Sequence, residues 1–179
     1  MESSSSLWLS NLLLVGMGLS IYFEIQSDIT KAKWVSKGRP GGFCTDGFWK
    51  YSRHPNYAGE IATWGFAALY AATLDTRSSL LFFLGKNLWI ALVSPLFTLN
   101  ILLCTSGTGV WNAEGKNLKR YYEHSDPSVT ENYIEYRRKT PPLFPTFCVP
   151  YEKIPLTIQR LFCFEWERYE YKPSSKNKP

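Results

Sequence analysis

The stretch Gly47-Phe-Trp-Lys-Tyr-Ser-Arg-His-Pro-Asn-Tyr-Ala-Gly-Glu60 gathers the side chains best suited to chemistry. Asn56 and Glu60 are four residues apart, so a helix puts them on one face, with Thr63 and Trp64 next along it. Pro55 is a good first helical residue, and Arg53 and His54 stand just before it. A helix N-terminus offers unpaired N–H groups and a positive dipole end, which suits a phosphate. Lys50 and Arg53 would add charge-assisted hydrogen bonds to that anion. Asn56 and Glu60 would then accept and donate hydrogen bonds to an amide or a ribose. The plainer alternative is structural: His54 caps the helix, and Glu60 pairs with Arg53 or Lys86 to fix the fold.

The elements that must position this stretch show in the distribution of charge. The chain has 179 residues, with 20 Lys and Arg and 15 Asp and Glu. Three windows, 3–23, 54–74 and 87–113, hold a single charge between them, Glu60. Each is long enough for a helix to cross the hydrocarbon core, which takes about 20 largely apolar residues. The mean hydropathy of −0.20 is therefore an average over membrane windows and charged connectors. An aromatic content of 16% excludes a disordered chain. A carboxylate inside a membrane helix is costly and is by default a functional hypothesis, which singles out Glu60.

The first window lacks the basic leader and small-residue cleavage site of a signal peptide, so it reads as a membrane helix. In the second, Ala58, Gly59, Ala62, Gly65 and Ala68 would let a neighbouring helix come close. Pro95 predicts a kink inside the third. A short uncharged piece around 78–85 would turn the chain into it. Lys31, Lys33, Lys37, Arg39, Lys50 and Arg53 precede the second window, and twelve more basic residues follow the third. Only Arg77 and Lys86 lie between the second and third. The positive-inside rule then puts 24–53 and the C-terminus in the cytosol, with the N-terminus and the 75–79 turn opposite. The net charge of +5 is accounted for by orientation and attraction to membrane lipids, and no module for nucleic acid is present.

Other motifs say less. Cys44, Cys104, Cys148 and Cys163 have no spacing suited to zinc. Gly107-Thr-Gly109 lacks the strand, third glycine and downstream acid of a dinucleotide turn. Two histidines, His54 and His124, offer no Ser-His-Asp arrangement. After Pro150, an apolar and aromatic run (156–166) between charges suits a helix lying in the interface, or one packed over the cytosolic loops. The terminal 173–179 reads as a frayed tail. The expected fold is all-α: a polytopic membrane protein with three to four membrane helices plus amphipathic helices on the cytosolic face. Residues 1–150 would form the membrane domain and 151–179 an interfacial helix and flexible tail.

Trp49-Lys-Tyr-Ser-Arg-His-Pro-Asn-Tyr-Ala-Gly-Glu60 closely resembles the signature of the membrane steroid 5α-reductase C-terminal domain family. That family belongs with the sterol reductases and the isoprenylcysteine methyltransferases. Glu24 to Lys31 resembles the helix end preceding its motif, and Asn117 to Tyr121 and Tyr133 to Pro145 resemble its closing segment. The resemblance spans about residues 20 to 146. It implies a cytosol-facing pocket for NADPH, with Asn56 and Glu60 at the nicotinamide end and also the candidate catalytic pair. It further implies that Lys50, Arg53, His54, Tyr57, Tyr121, Tyr136 and Arg137 hold ribose and phosphates. Arg137-Arg138-Lys139 would serve a 2′-phosphate, or else form a solvated basic patch at the lipid surface. Two departures stand out. Gly42 precedes Phe43-Cys44 where the family usually has a basic residue. The family's longer proteins also carry upstream membrane helices that build the substrate pocket, so the chain looks like the C-terminal half of a larger design, open to a membrane partner supplying them.

The leading expectation is an NADPH-dependent reductase of a C=C bond in a steroid-like or other lipid enone, in the endoplasmic reticulum membrane. The alternatives are a membrane methyltransferase using S-adenosylmethionine and a shortened, non-catalytic membrane partner. The Asn56-x-x-x-Glu60 pair is the feature that looks reductase-like.

Overall fold

In the computed structural model, which describes residues 4–73, 88–105, 107, 109–146 and 148–171, the first uncharged window does not end at its first acid. Helix α1 (Ser4–Ser36) continues for 33 residues through Glu24, Asp28 and Lys31. At about 1.5 Å per residue it is about 50 Å long, well over the ~30 Å of a hydrocarbon core. The expected connector from 24 to 53 is thus helical as far as Ser36, and its loop begins only there.

Helix α2 (Pro55–Thr73) runs antiparallel to α1 and packs along it. Ser10 meets Thr73 through their hydroxyls at 3.2 Å. Further along, Gly16 faces Phe66, and Gly59 faces the α1 backbone at Glu24. A Cβ on Gly59 would lie 2.9 Å from the Glu24 nitrogen, so the two helices are close there because that residue has no side chain.

Two stretches, Leu7–Ser36 and Trp89–Trp111, are long and apolar enough to cross a membrane. Trp8, Leu12, Val15 and Leu19 on the first, and Trp89, Ile90, Val93 and Phe97 on the second, are exposed. The core helix of a soluble protein would bury such a face, and a large exposed apolar surface marks contact with lipid or a partner. α2 is 19 residues long but has Asn56 and Glu60 in its opening turns, and it is not among the stretches that meet this measure. Of the three to four membrane helices expected, two candidates are found among the described residues.

The window 87–113 divides between two helices. α3 (Leu88–Cys104) runs as one helix through Pro95, and α4 (Gly109–Tyr122) follows. Gly109 has φ +57°, and a Cβ there would fall 2.0 Å from the Leu102 carbonyl oxygen, so this reversal requires glycine. Helix α5 (Pro127–Lys139) starts with Asp126 accepting from the Ser128 N–H at 2.9 Å. It ends in Arg137, Arg138 and Lys139, which suit the negative end of its dipole. Helix α6 (Leu156–Phe162) buries none of its residues.

Ala58, Ile61, Leu102, Leu103, Val110, Leu143 and Tyr169 form one buried cluster, so α2, α3, α4, the loop after α5 and the C-terminal segment share a core. The segment after residue 150 thus contributes Tyr169 to that core. Tyr151, Glu165 and Tyr169 are buried, and the Tyr169 hydroxyl donates to the Leu103 carbonyl. α6 alone keeps the exposed apolar face (Leu156, Leu161, Phe162) expected of an interfacial helix. The 75–79 turn, the 78–85 piece, Arg77, Lys86 and the tail from 172 lie outside the described residues.

Candidate functional site

The loop entering α2 is pinned from two directions. The backbone N–H groups of Arg53 and His54 donate to the carbonyls of Pro141 and Pro142, each at 3.0 Å. Tyr136 donates its hydroxyl to the Trp49 carbonyl at 2.5 Å, and the Trp49 indole donates to the Ser27 carbonyl at 2.9 Å. The Arg-His pair of the motif is thereby fixed between α1, α5 and the loop after α5.

Beneath it lies a buried ion cluster. Arg53 is 4% exposed and spends its guanidinium on three partners. Nε donates to the Thr140 carbonyl at 3.1 Å, Nη1 to Glu114 Oε1 at 3.3 Å, and Nη2 to Glu165 Oε2. His54 Nε2 stands 3.0 Å from the same Glu114 oxygen. Arg137 donates to Glu165 Oε1 and to the Tyr169 carbonyl, both at 3.1 Å, and lies 3.9 Å from Glu114 Oε2. The Tyr151 hydroxyl donates to Glu165 Oε2 at 2.7 Å. Two guanidiniums and two carboxylates balance, which is what makes such burial tolerable.

The electrostatics follow the contacts. Burial pushes the Glu114 carboxyl up, but the Arg53 charge and then the His54 hydrogen bond outweigh it and hold the group at about 2. Burial likewise opposes the charge on Arg53, and Glu114 with Glu165 more than offsets it, so its pKa is raised. Burial drives the Tyr133 and Tyr136 phenols far up, keeping them neutral.

Above the cluster opens a cavity of about 210 Å³. Arg53, His54, Asn56, Tyr57 and Glu114 form one side, Tyr121, Tyr133 and Tyr136 another, and Lys31, Phe43, Cys44 and Trp49 the third. The His54 and Tyr57 rings are stacked nearly parallel, 9° apart with centroids at 5.4 Å. Two acceptors on this wall, Asn56 Oδ1 and Glu114 Oε2, are buried without a hydrogen-bond donor.

Of the residues expected from the sequence, the structure brings Arg53, His54, Asn56, Tyr57, Tyr121 and Tyr136 to this cavity. It does not bring Lys50, Glu60 or Arg137 to its wall. Lys50 is exposed, its ammonium 5.8 Å from the Tyr51 ring. Glu60 is half-buried one turn further along α2 and makes no ion pair with Arg53, whose acids are Glu114 and Glu165; the pairing considered with Lys86 falls outside the described residues. Arg137 belongs to the ion cluster below. Its neighbours are committed too: Arg138 pairs with Glu135 and Glu152 at 2.8 and 3.2 Å, and Lys139 with Glu135 at 2.7 Å. The run 137–139 is therefore a set of ion pairs.

Glu114 and Glu165 escaped the sequence reading, although both carried a signal. Glu114 is the first charge after the uncharged run 87–113, and Glu165 sits within the apolar stretch 156–166. The acid expected to face Arg53, Glu60, is near in sequence; the acids that do are 61 and 112 residues away.

The described residues thus define an all-helical protein with membrane-length apolar helices and a polar, aromatic cavity where α2 begins. The chain belongs to the family described as "Protein of unknown function (DUF1295)", whose family model matches residues 4–140. The matched stretch runs from α1 to the end of α5, so Glu165 and Tyr151 come from beyond it. No curated protein and no solved structure matches the chain.

Proposed function

We propose that this chain is a membrane protein of the steroid 5α-reductase type that binds NADPH in the cavity at the start of α2 and reduces a C=C bond of a lipid enone. The observation that carries this reading is a buried acceptor without a donor, Asn56 Oδ1, in a residue that lines an aromatic cavity. Leaving a buried acceptor unmatched costs about 1–3 kcal/mol, so the wall favours a ligand that brings donors. A nicotinamide carboxamide and ribose hydroxyls are such donors, and the aromatic lining of Tyr57, Tyr121, Tyr133 and Tyr136 suits a planar ring. The cavity, at about 210 Å³, is smaller than the ~300–1,000 Å³ of pockets for whole drug-sized ligands. It fits the nicotinamide nucleotide half, with the adenosine half outside it. When bound, the cofactor supplies a hydride for the electron-poor carbon of an enone.

Asn56 and Glu114 would orient the carboxamide end, and Tyr121, Tyr133 and Tyr136 would exclude water. Arg53 and His54 act here as the framework that fixes Glu114. A second, apolar groove of about 260 Å³ between α1 and α2, lined by Leu19, Phe23, Ala62, Phe66 and Phe144, suits the hydrocarbon of a lipid. Isothermal titration of the purified chain with NADPH and with S-adenosylmethionine tests the reading. Heat is expected with NADPH alone. Binding of S-adenosylmethionine alone would replace the reductase with the methyltransferase alternative.

A further inference from the structure

Between Tyr151 and Glu165 the chain leaves the core and returns to it. Both residues are buried and meet each other, the Tyr151 hydroxyl donating to Glu165 Oε2 at 2.7 Å. The excursion between them carries α6, which buries none of its residues. Leu161 is 67% and Phe162 73% exposed, and Leu156 and Ile158 are exposed with them. A helix of seven residues has little stability of its own in water, so this apolar face needs a cover. The return to the core is strained as well. Phe164 has φ +62°, a left-handed conformation that a non-glycine residue keeps only when its surroundings hold it there.

The mooring of α6 identifies the cover. The Gln159 carbonyl accepts from the Glu165 N–H at 3.1 Å, and the Arg160 carbonyl from the Trp166 indole at 3.1 Å. Phe164 and Trp166 pack against the core cluster that includes Leu102 and Leu103, and the Tyr169 hydroxyl donates to the Leu103 carbonyl. Leu103 is in the last turn of α3, within the second apolar stretch of membrane length. Thus α6 is held where that stretch nears its end. Arg168 lies over Trp166 at 4.7 Å and over the exposed Trp111 at 5.6 Å. Trp rings capped by a long cation suit the boundary between headgroups and acyl chains, as does a short helix with one apolar face. A protein partner fits less well, because a helix about 10 Å long offers much less than the ~800 Å² per side of a stable interface.

We propose that α6 lies in the surface layer of the bilayer that the apolar faces of α1 and α3 meet, and that this anchoring holds Glu165 on Arg53. Glu165 accepts from Arg53 on Oε2 and from Arg137 on Oε1. Contact with lipid is therefore built into the ion cluster beneath the cavity. Glu165 is a positioning residue: it acts on the cavity through Arg53 and Glu114. The inference is independent of which ligand the cavity takes.

The test uses the full chain in phosphatidylcholine discs loaded with one chain or with two. Lipids with a photoreactive acyl chain are expected to crosslink to residues 156–162 of the wild type, as to the exposed face of α1. Hydrogen exchange reads the coupling at the amides of Glu165, Trp166 and Tyr169, each of which is hydrogen-bonded. Leu161→Ser combined with Phe162→Ser should speed their exchange about tenfold or more, as lipid burial of two large apolar side chains is lost. Leu161→Met combined with Phe162→Leu keeps the face apolar and should leave exchange near that of the wild type. Crosslinking on the wild type depends on no variant, and its absence from 156–162 overturns the anchor. Crosslinks together with unchanged exchange in the serine variant overturn the coupling to Glu165. Protection of α6 only in discs holding two chains assigns the face to a second copy and overturns the lipid assignment.

Discussion

Replacing Arg53 by alanine is expected to cost about 3–5 kcal/mol, the usual result of removing one partner from a buried ion pair, and to lower the unfolding midpoint by about 10 °C in a chain of this size. The reason is in the geometry. One guanidinium satisfies the Thr140 carbonyl, Glu114 and Glu165 at once, from an almost fully buried position. Without it, Arg137 is left facing two buried carboxylates. Arg53→Lys should rescue little, because an ammonium cannot reach three partners set around a planar fork. Thermal unfolding in detergent checks this. A phosphate-binding Arg53, as the motif alone suggests, would instead weaken ligand binding while leaving the free protein's midpoint unchanged.

The second large effect is a pH dependence traced to Glu114. Its carboxyl is held at about 2 in the folded chain against an ordinary value of 4.5. Between those values the unfolded chain binds more protons, so stability rises with pH across that window. The contribution is complete above about pH 5 and is lost as pH falls through about 2. A shift of this size corresponds to about 3 kcal/mol. Glu114→Gln should therefore be less stable than wild type by about that amount at pH 7, and the gap should narrow steadily as the pH is lowered to 3. Denaturant midpoints for both proteins from pH 7 to 3 would show it. A gap that stays constant means that Glu114 is not held as a carboxylate by Arg53 and His54.

The sequence makes the helices legible because charge is excluded from windows of membrane length, a signal that needs no tertiary information. It places the start of α2 correctly at Pro55 for a local reason, the fixed φ of proline at a first helical position. It does not reveal that α1 extends to Ser36, since a helix can carry Glu24, Asp28 and Lys31 beyond the apolar core without any break in its backbone pattern. The break between Cys104 and Gly109 is hidden inside an apolar run, where hydrophobicity is the same on both sides of the turn. At the site, Asn56 is legible from residue type and spacing, and Tyr57 only through the family resemblance. The partners of Arg53 are not, because which carboxylate meets a buried cation depends on long-range packing. An ion cluster built from α4, α5 and the C-terminal segment cannot be read from a motif that ends at Glu60.

Asn56 gives the most direct test, because a ligand-binding role and a structural role move two quantities differently. Asn56→Leu removes a buried oxygen that has no donor in the free protein, so the unfolding midpoint should stay level or rise. NADPH affinity, measured by isothermal titration on the same preparation, should fall about tenfold or more with the loss of that acceptor. A lower midpoint with unchanged NADPH affinity would contradict the assignment of this cavity as the nicotinamide site.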